Sequence, residues 1–187
     1  MIETDPERRK ANEISEKVIG AAIEVHRSLG PGLLEGIYEE CLCYELGARG
    51  LSFVRQMELP VVYKSMTLEY RLRLDVVVED LVVLELKAVD KVIPLHEAQL
   101  LTYLKLSGHW LGLILNFNVP AMRDGIRRLV TDSRNYNHRD TKAQRHQIMA
   151  GFDLNKLSEN AIRRLEHGQR EAIVTSLCLC AFVVRFL

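Results

Sequence analysis

The chain has 187 residues, of which 48% are hydrophobic and 27% charged, and its 25 Lys and Arg balance 25 Asp and Glu. This composition and length suit a globular protein with a real core, and one domain with an appendage is the expected organisation. A net charge of zero speaks against a uniformly basic nucleic-acid coat protein, though not against an enzyme that needs only a local basic strip.

Residues 1–10 are charged and lack an apolar h-region, so they read as a flexible leader and not as a secretory signal. A helix is expected over residues 12–29, where Ile14, Val18, Ala21, Ala22, Val25 and Leu29 recur at helical spacing. Gly30-Pro31-Gly32 ends it. A second helix is expected over residues 33–49, with Leu34, Ile37, Tyr38, Cys41, Leu42 and Leu46 on its apolar side and Gly50 terminating it. Strand signals follow over residues 53–58, continuing to Tyr63 past Pro60, which belongs on an edge or at a bulge. Lys64-Ser65 turns the chain into a strand over residues 66–78, and Asp80 marks the turn into a third over residues 81–88. Pro94 opens a helix over residues 95–106, closed by Ser107-Gly108. Residues 110–116 make an apolar strand, and residues 120–130 a short helix with Ile126 and Leu129 inward. The helix after the three-strand meander crosses over to a strand that can pair in parallel, so the expected fold class is α/β, a mixed sheet with helices packed on it.

After Thr131 the character of the chain changes. Residues 132–147 are polar, residues 157–173 have weak helical periodicity, and residues 176–187 are mostly apolar. We read residues 132–187 as a C-terminal extension of a domain at residues 11–131. Its apolar end needs burial on the core or against another chain, either a second copy or a protein partner. Leu177 to Val184 is too short to span a bilayer, so no membrane association is expected. Cys41, Cys43, Cys178 and Cys180 form two C-x-C pairs, tighter than zinc spacing and without a His cluster. Reduced structural cysteines of a cytoplasmic protein are the expectation. There is no G-x-x-x-x-G-K-[ST] stretch, so no bound ATP is expected.

The chemistry is concentrated in the predicted hairpin. Strand side chains alternate with period 2, so Glu85 and Lys87 project from one face while Leu84, Leu86 and Ala88 take the other. An acid and a lysine inside an apolar strand are costly to bury unless they pair or hold a metal. Asp75 on the neighbouring strand supplies a second carboxylate. Two carboxylates for a hard cation and a lysine for the attacking water are the minimum set for a metal-assisted phosphodiester cut. The bland alternative is a solvated face with cross-strand pairs. Gln99 and Tyr103, at i and i+4, either face such a site or form a polar helix side. His26 is either an additional metal ligand or a helix-end residue. His96 either contacts phosphate or caps its helix. Tyr38 either packs in the core or bonds Glu35. Asn116 and Asn118 either line a cleft or cap a turn.

The motif Gly32-Leu33-Leu34-Glu35-Gly36-Ile37-Tyr38 resembles the pattern for which the GxxExxY proteins are named. The resemblance continues through Gln56, Pro60-Val61-Val62-Tyr63, Asp75, Glu85-Leu86-Lys87-Ala88, His96-Glu97-Ala98-Gln99, Tyr103 and Asn116-Phe117-Asn118, and covers residues 14–130. That family is similar to a compact bacterial branch of the PD-(D/E)XK nuclease superfamily. The resemblance implies a restriction-endonuclease-like αβββαβ core, with an Asp and then an acid-x-Lys on adjacent strands. Some branches of the superfamily, such as the recombination exonucleases, add an acid on the preceding helix and a Gln-x-x-x-Tyr on the following one. Carried onto this chain, it implies Asp75 and Glu85 as metal ligands with the Leu86 carbonyl, Glu35 as the helical acid and a further metal ligand, Lys87 as the catalytic lysine, and Gln99 and Tyr103 as substrate-orienting residues. Leu74 stands where the superfamily name has Pro. The implied activity is Mg²⁺- or Mn²⁺-dependent hydrolysis of nucleic acid, with DNA as the expected partner. The alternative is a catalytically inactive module of the same fold that binds nucleic acid or a protein partner.

Overall fold

The structure is a computed structural model and describes residues 5–131. The elements run α1 (Pro6–Leu29), α2 (Glu35–Ala48), β1 (Phe53–Tyr63), β2 (Met66–Val78), β3 (Val82–Lys87), α3 (Pro94–Ser107), β4 (Leu111–Asn116), α4 (Met122–Gly125) and β5 (Ile126–Val130). The first helix starts earlier than the apolar stripe indicates. Asp5 accepts a hydrogen bond from the Glu7 amide at 3.0 Å and Pro6 sits in the first turn, so residues 6–10 of the expected leader are helical.

The strands form one sheet in the order β1-β2-β3-β4-β5, antiparallel except for the β3–β4 pair. This is the mixed α/β sheet expected from the sequence. Pro60 lies on edge strand β1, where the register shifts between Pro60 and Val62. Helices α1 and α2 cover one face. Ile14, Val18, Ala22 and Val25 of α1 and Tyr38, Leu42 and Leu46 of α2 pack against Val76, Val78, Leu84, Leu86, Leu113 and Leu115. Helix α3 covers the other face. Leu100 sits over Gly112, where an added Cβ would come within 2.9 Å of its side chain.

Two expectations need correction. Residues 120–130 are one helical turn followed by β5, which pairs antiparallel with β4. Every residue of β4 is buried, so its open edge would strand backbone N–H and C=O groups in the interior. Pairing with β5 satisfies them and outweighs a weak helical pattern. In α2, Leu34 is 78% and Ile37 42% exposed, while Glu39 is buried beside Tyr38, Leu42, Cys43 and Leu46. The expected extension at residues 132–187, with Cys178 and Cys180, lies outside the described residues. Among the described residues, no helix is long and apolar enough to cross a membrane.

The β2–β3 turn carries Glu79 and Asp80 at φ 53° and 50°, closed by the Leu81 amide donating to the Val78 carbonyl at 3.0 Å. Glu79 ties this turn to the start of β1, accepting from both the amide and the hydroxyl of Ser52 at 2.7 Å. The bond from the Ser52 amide, with smaller help from its hydroxyl, Lys10 and Lys17 and against a burial cost, holds the Glu79 carboxyl below its ordinary value. The folded state therefore binds fewer protons than the unfolded one. The contribution of Glu79 is complete above the ordinary carboxylate pKa and is lost as pH falls through the lowered one. Denaturant titrations should show Glu79→Gln weaker than wild type at neutral pH, with the gap closing in acid. A gap independent of pH would remove the charge from the explanation.

Candidate active site

The β2–β3 ladder pairs Val78 with Val82, Val77 with Val83 and Val76 with Leu84, which puts Asp75 and Glu85 in register at the next step. There the backbone pairing stops. The Leu86 amide, which points toward β2, donates instead to Asp75 Oδ2 at 2.9 Å. On the same face of β3, Lys87 Nζ donates to Glu85 Oε1 at 2.7 Å. Glu85 is only 2% exposed, and its second oxygen, Oε2, is buried without a hydrogen-bond partner among the described residues. The hairpin phase thus brings together Asp75, Glu85 and Lys87, as the alternation in the sequence requires.

Their electrostatics follow from burial in a cluster of like charge. Desolvation raises the Asp75 carboxyl above its ordinary value, with Glu39 adding to the shift and Leu86, Lys87 and Arg73 opposing it. Desolvation raises Glu85 likewise, opposed by the Lys87 hydrogen bond and assisted by Asp75 and Glu35. Burial pushes the Lys87 ammonium down, but its hydrogen bond to Glu85 and the charges of Glu85, Glu35 and Asp75 outweigh this and hold it above its usual value. The Glu85 carboxylate thus favours the protonated form of Lys87.

Glu35 opens α2 at the rim of this cluster. Partial desolvation raises its carboxyl, Asp75 and Glu39 add to this, and Lys87 and the Ala88 backbone oppose it. Among the described residues no three His, Cys, Asp or Glu side chains close up into a metal cage. Glu35 is thus coupled to the pair by charge without completing a three-carboxylate set. Gln99 and Tyr103 lie together on α3, Gln99 Nε2 donating to the Tyr103 hydroxyl at 2.6 Å. Among the described residues neither is hydrogen-bonded to Asp75, Glu85 or Lys87.

The other candidates resolve into structural roles. His26 is buried and bonds the Val119 carbonyl through Nε2 at 2.8 Å. His96 Nδ1 takes the Ile93 amide at 3.4 Å, a long contact at the start of α3. The Tyr38 hydroxyl donates to the Gly30 carbonyl at 2.6 Å and accepts from the Leu33 amide at 3.1 Å, pinning the loop before Glu35. Cys41 and Cys43 are free thiols, and burial pushes Cys43 up to about 12, so it is inert at neutral pH.

Sequence reasoning missed a second charged group beside Asp75. Buried Glu39 accepts from Arg55 Nε on one oxygen and Gln56 Nε2 on the other, both at 2.6 Å. Gln56 lies between Arg55, paired with Val76, and Met57, paired with Leu74, so it stands across from Asp75. It adopts φ 50° in mid-strand, a strained conformation for a non-glycine residue. The only hint in the sequence was an acid at a helix position that periodicity assigns to the core.

The fold, the splayed hairpin and its acid-x-Lys now stand together with a comparison of the whole chain. Residues 12–129 match the family model of the PD-(D/E)XK nuclease superfamily. The chain belongs to that superfamily. Neither curated proteins nor solved structures give a match. The match spans Asp75 and Glu85-Leu86-Lys87. Nuclease activity and divalent-metal use are what this superfamily brings in general.

Proposed function

We propose that the chain is a Mg²⁺- or Mn²⁺-dependent nuclease that hydrolyses phosphodiester bonds in DNA, and that it belongs to the GxxExxY branch on its Gly32–Tyr38 motif. The observation that carries this reading is the buried Glu85 carboxylate. One of its oxygens is held by Lys87 and the other has no partner among the described residues. An ionised oxygen left alone in a sheet costs several kcal/mol, and a hard cation removes that cost. The donor set fits such an ion, because carboxylate and carbonyl oxygens are the ligands Mg²⁺ and Mn²⁺ prefer.

Asp75, Glu85 and the Leu86 carbonyl would hold the cation, with Glu35 adding negative charge at the rim. When bound, the cation supplies Lewis-acid polarisation of a phosphoryl oxygen and acidifies water. Lys87 stays protonated, points the attacking water and offsets charge that builds on the phosphate. Gln99 and Tyr103 orient the substrate from the α3 side. The alternative, an inactive module binding nucleic acid or a protein partner, gains no support from the site, since both carboxylates and the lysine are in place.

The test is incubation of the protein with single- and double-stranded DNA and RNA in Mg²⁺, Mn²⁺ or EDTA, alongside Lys87→Ala. Cleavage is expected for DNA in either metal and not in EDTA, with Lys87→Ala slower by about 10²–10⁴-fold. Wild type that cuts nothing in any metal would hand the site to the binding-module reading.

A further inference from the structure

We propose that Asn116 is a positioning residue for this site, setting Lys87 and Glu35 relative to each other through the backbone of residues 87–89. The inference rests on the nuclease reading above. It starts from where the central ladder ends. The parallel β3–β4 register stops at Lys87 opposite Asn116, and the Phe117 amide donates to the Lys87 carbonyl at 2.8 Å. A strand that carries its functional lysine on its last residue is prone to fray there, because terminal hydrogen bonds open at little cost.

Asn116 prevents that. Its side chain is buried, 2% exposed, and acts as one more rung beyond the ladder. Oδ1 accepts from the Val89 amide at 3.0 Å while Nδ2 donates to the Val89 carbonyl at 2.8 Å. Oδ1 also accepts from the Asn118 amide at 3.3 Å, and Asn118 Nδ2 donates to Asp90 at 3.1 Å. Lys87 and Val89 are thus both tied to the end of β4. Ala88, between them, opposes the rise of the Glu35 carboxyl through its backbone.

The brace is anchored from behind by both helices of the covering layer. His26 of α1 holds the Val119 carbonyl. The Phe117 ring stacks on Tyr38, one turn after Glu35, at 4.5 Å and 8°. The segment 116–119 therefore links α1, α2, β3 and β4 at one point. It carries the strand bearing Lys87 and the helix bearing Glu35. None of its groups bonds the carboxylates or Lys87 Nζ among the described residues, so it acts through position. A displacement of roughly 1 Å at a catalytic group costs about 10²-fold in rate, which sets the expected effect.

The experiment compares the full chain with Asn116→Ala, Asn116→Asp and Val78→Ala. Val78 is a buried core residue at the opposite end of the β2–β3 ladder and serves as the stability control. Two quantities are read. One is kcat and KM on a fluorescein-labelled DNA oligonucleotide in Mn²⁺, well below each melting point. The other is the ¹H–¹⁵N signal of the Lys87 ammonium in metal-free protein, which its bond to Glu85 protects. Asn116→Ala should lower kcat by about 10²-fold with KM unchanged, and lose the ammonium signal. Asn116→Asp keeps both accepted bonds but sets a buried carboxylate oxygen against the Val89 carbonyl, so it should lose at least as much as Asn116→Ala. Val78→Ala should melt earlier while keeping both kcat and the signal. Wild-type kcat in Asn116→Ala overturns the inference, and so does a kcat loss in Val78→Ala matching that in Asn116→Ala. If wild type cuts no DNA, the nuclease reading fails and the ammonium signal alone decides whether Asn116 positions Lys87; an unchanged signal overturns the proposal.

Discussion

Asp75→Asn is expected to slow DNA cleavage by about 10²–10⁴-fold while leaving the metal-free protein at least as stable as wild type. The two effects have one origin. An amide oxygen can still accept from the Leu86 amide, so the bond at 2.9 Å that replaces the ladder survives. What disappears is a negative charge in a group of carboxylates that includes Glu35, Glu39 and Glu85. Burial already raises the Asp75 carboxyl, which means that folding works against its charged form. Without metal, the substitution relieves repulsion. With metal, it would remove a proposed ligand. Adding Mn²⁺ should then stabilise wild type by about 2.7 kcal/mol at a hundredfold excess over Kd, seen as a higher melting temperature, and should stabilise Asp75→Asn much less. Melting curves in EDTA and in Mn²⁺ read this directly. Equal Mn²⁺ stabilisation of both proteins would mean that the ion binds elsewhere. Asp75→Asn is a cleaner probe than Lys87→Ala, because Lys87 is the hydrogen-bond partner of Glu85 and its loss leaves a 2% exposed carboxylate alone in the sheet.

Gly125→Ala should be the most destabilising small substitution in the domain. A Cβ there would overlap the carbonyl oxygen of Asn116 and lie 3.0 Å from Val119 Cγ2. The Asn116 carbonyl belongs to the last residue of buried β4, with no flexible side chain to swing away. Relief requires β5 to lift off β4, and the cost is about 2–4 kcal/mol, seen as a melting point lower by roughly 5–10 °C. Gly36→Ala is the matched control. Gly36 lies in α2 with nothing within 4 Å of the added methyl, so the same change should stabilise by about 0.5–1 kcal/mol. Calorimetry on the two variants should give shifts of opposite sign. If Gly125→Ala melts with wild type, β5 does not pack as closely on the end of β4 as its register with Leu111 to Leu115 implies.

What the sequence determined by itself is what local spacing can encode. Period-2 alternation put Glu85 and Lys87 on one face, and the short turn marked by Asp80 put Asp75 near Glu85, so this clustering of charged groups was legible before any coordinates. The apolar stripe of α1, the edge position of Pro60 and the crossover through α3 were legible for the same reason. Tertiary structure alone decided the rest. Glu39 occupies a helix position that periodicity reserves for an apolar residue, and only the arrival of Arg55 and Gln56 makes its burial tolerable. Residues 126–130 became a strand because buried β4 has an edge whose backbone groups must be paired, a requirement invisible within that window. Gln99 bonded its own helix neighbour Tyr103, since their i, i+4 spacing brings the two within reach on one helix face. The Asn116 brace joins residues 27 apart in the chain. Periodicity records which way a side chain faces; it carries no information about which distant backbone group will be waiting there.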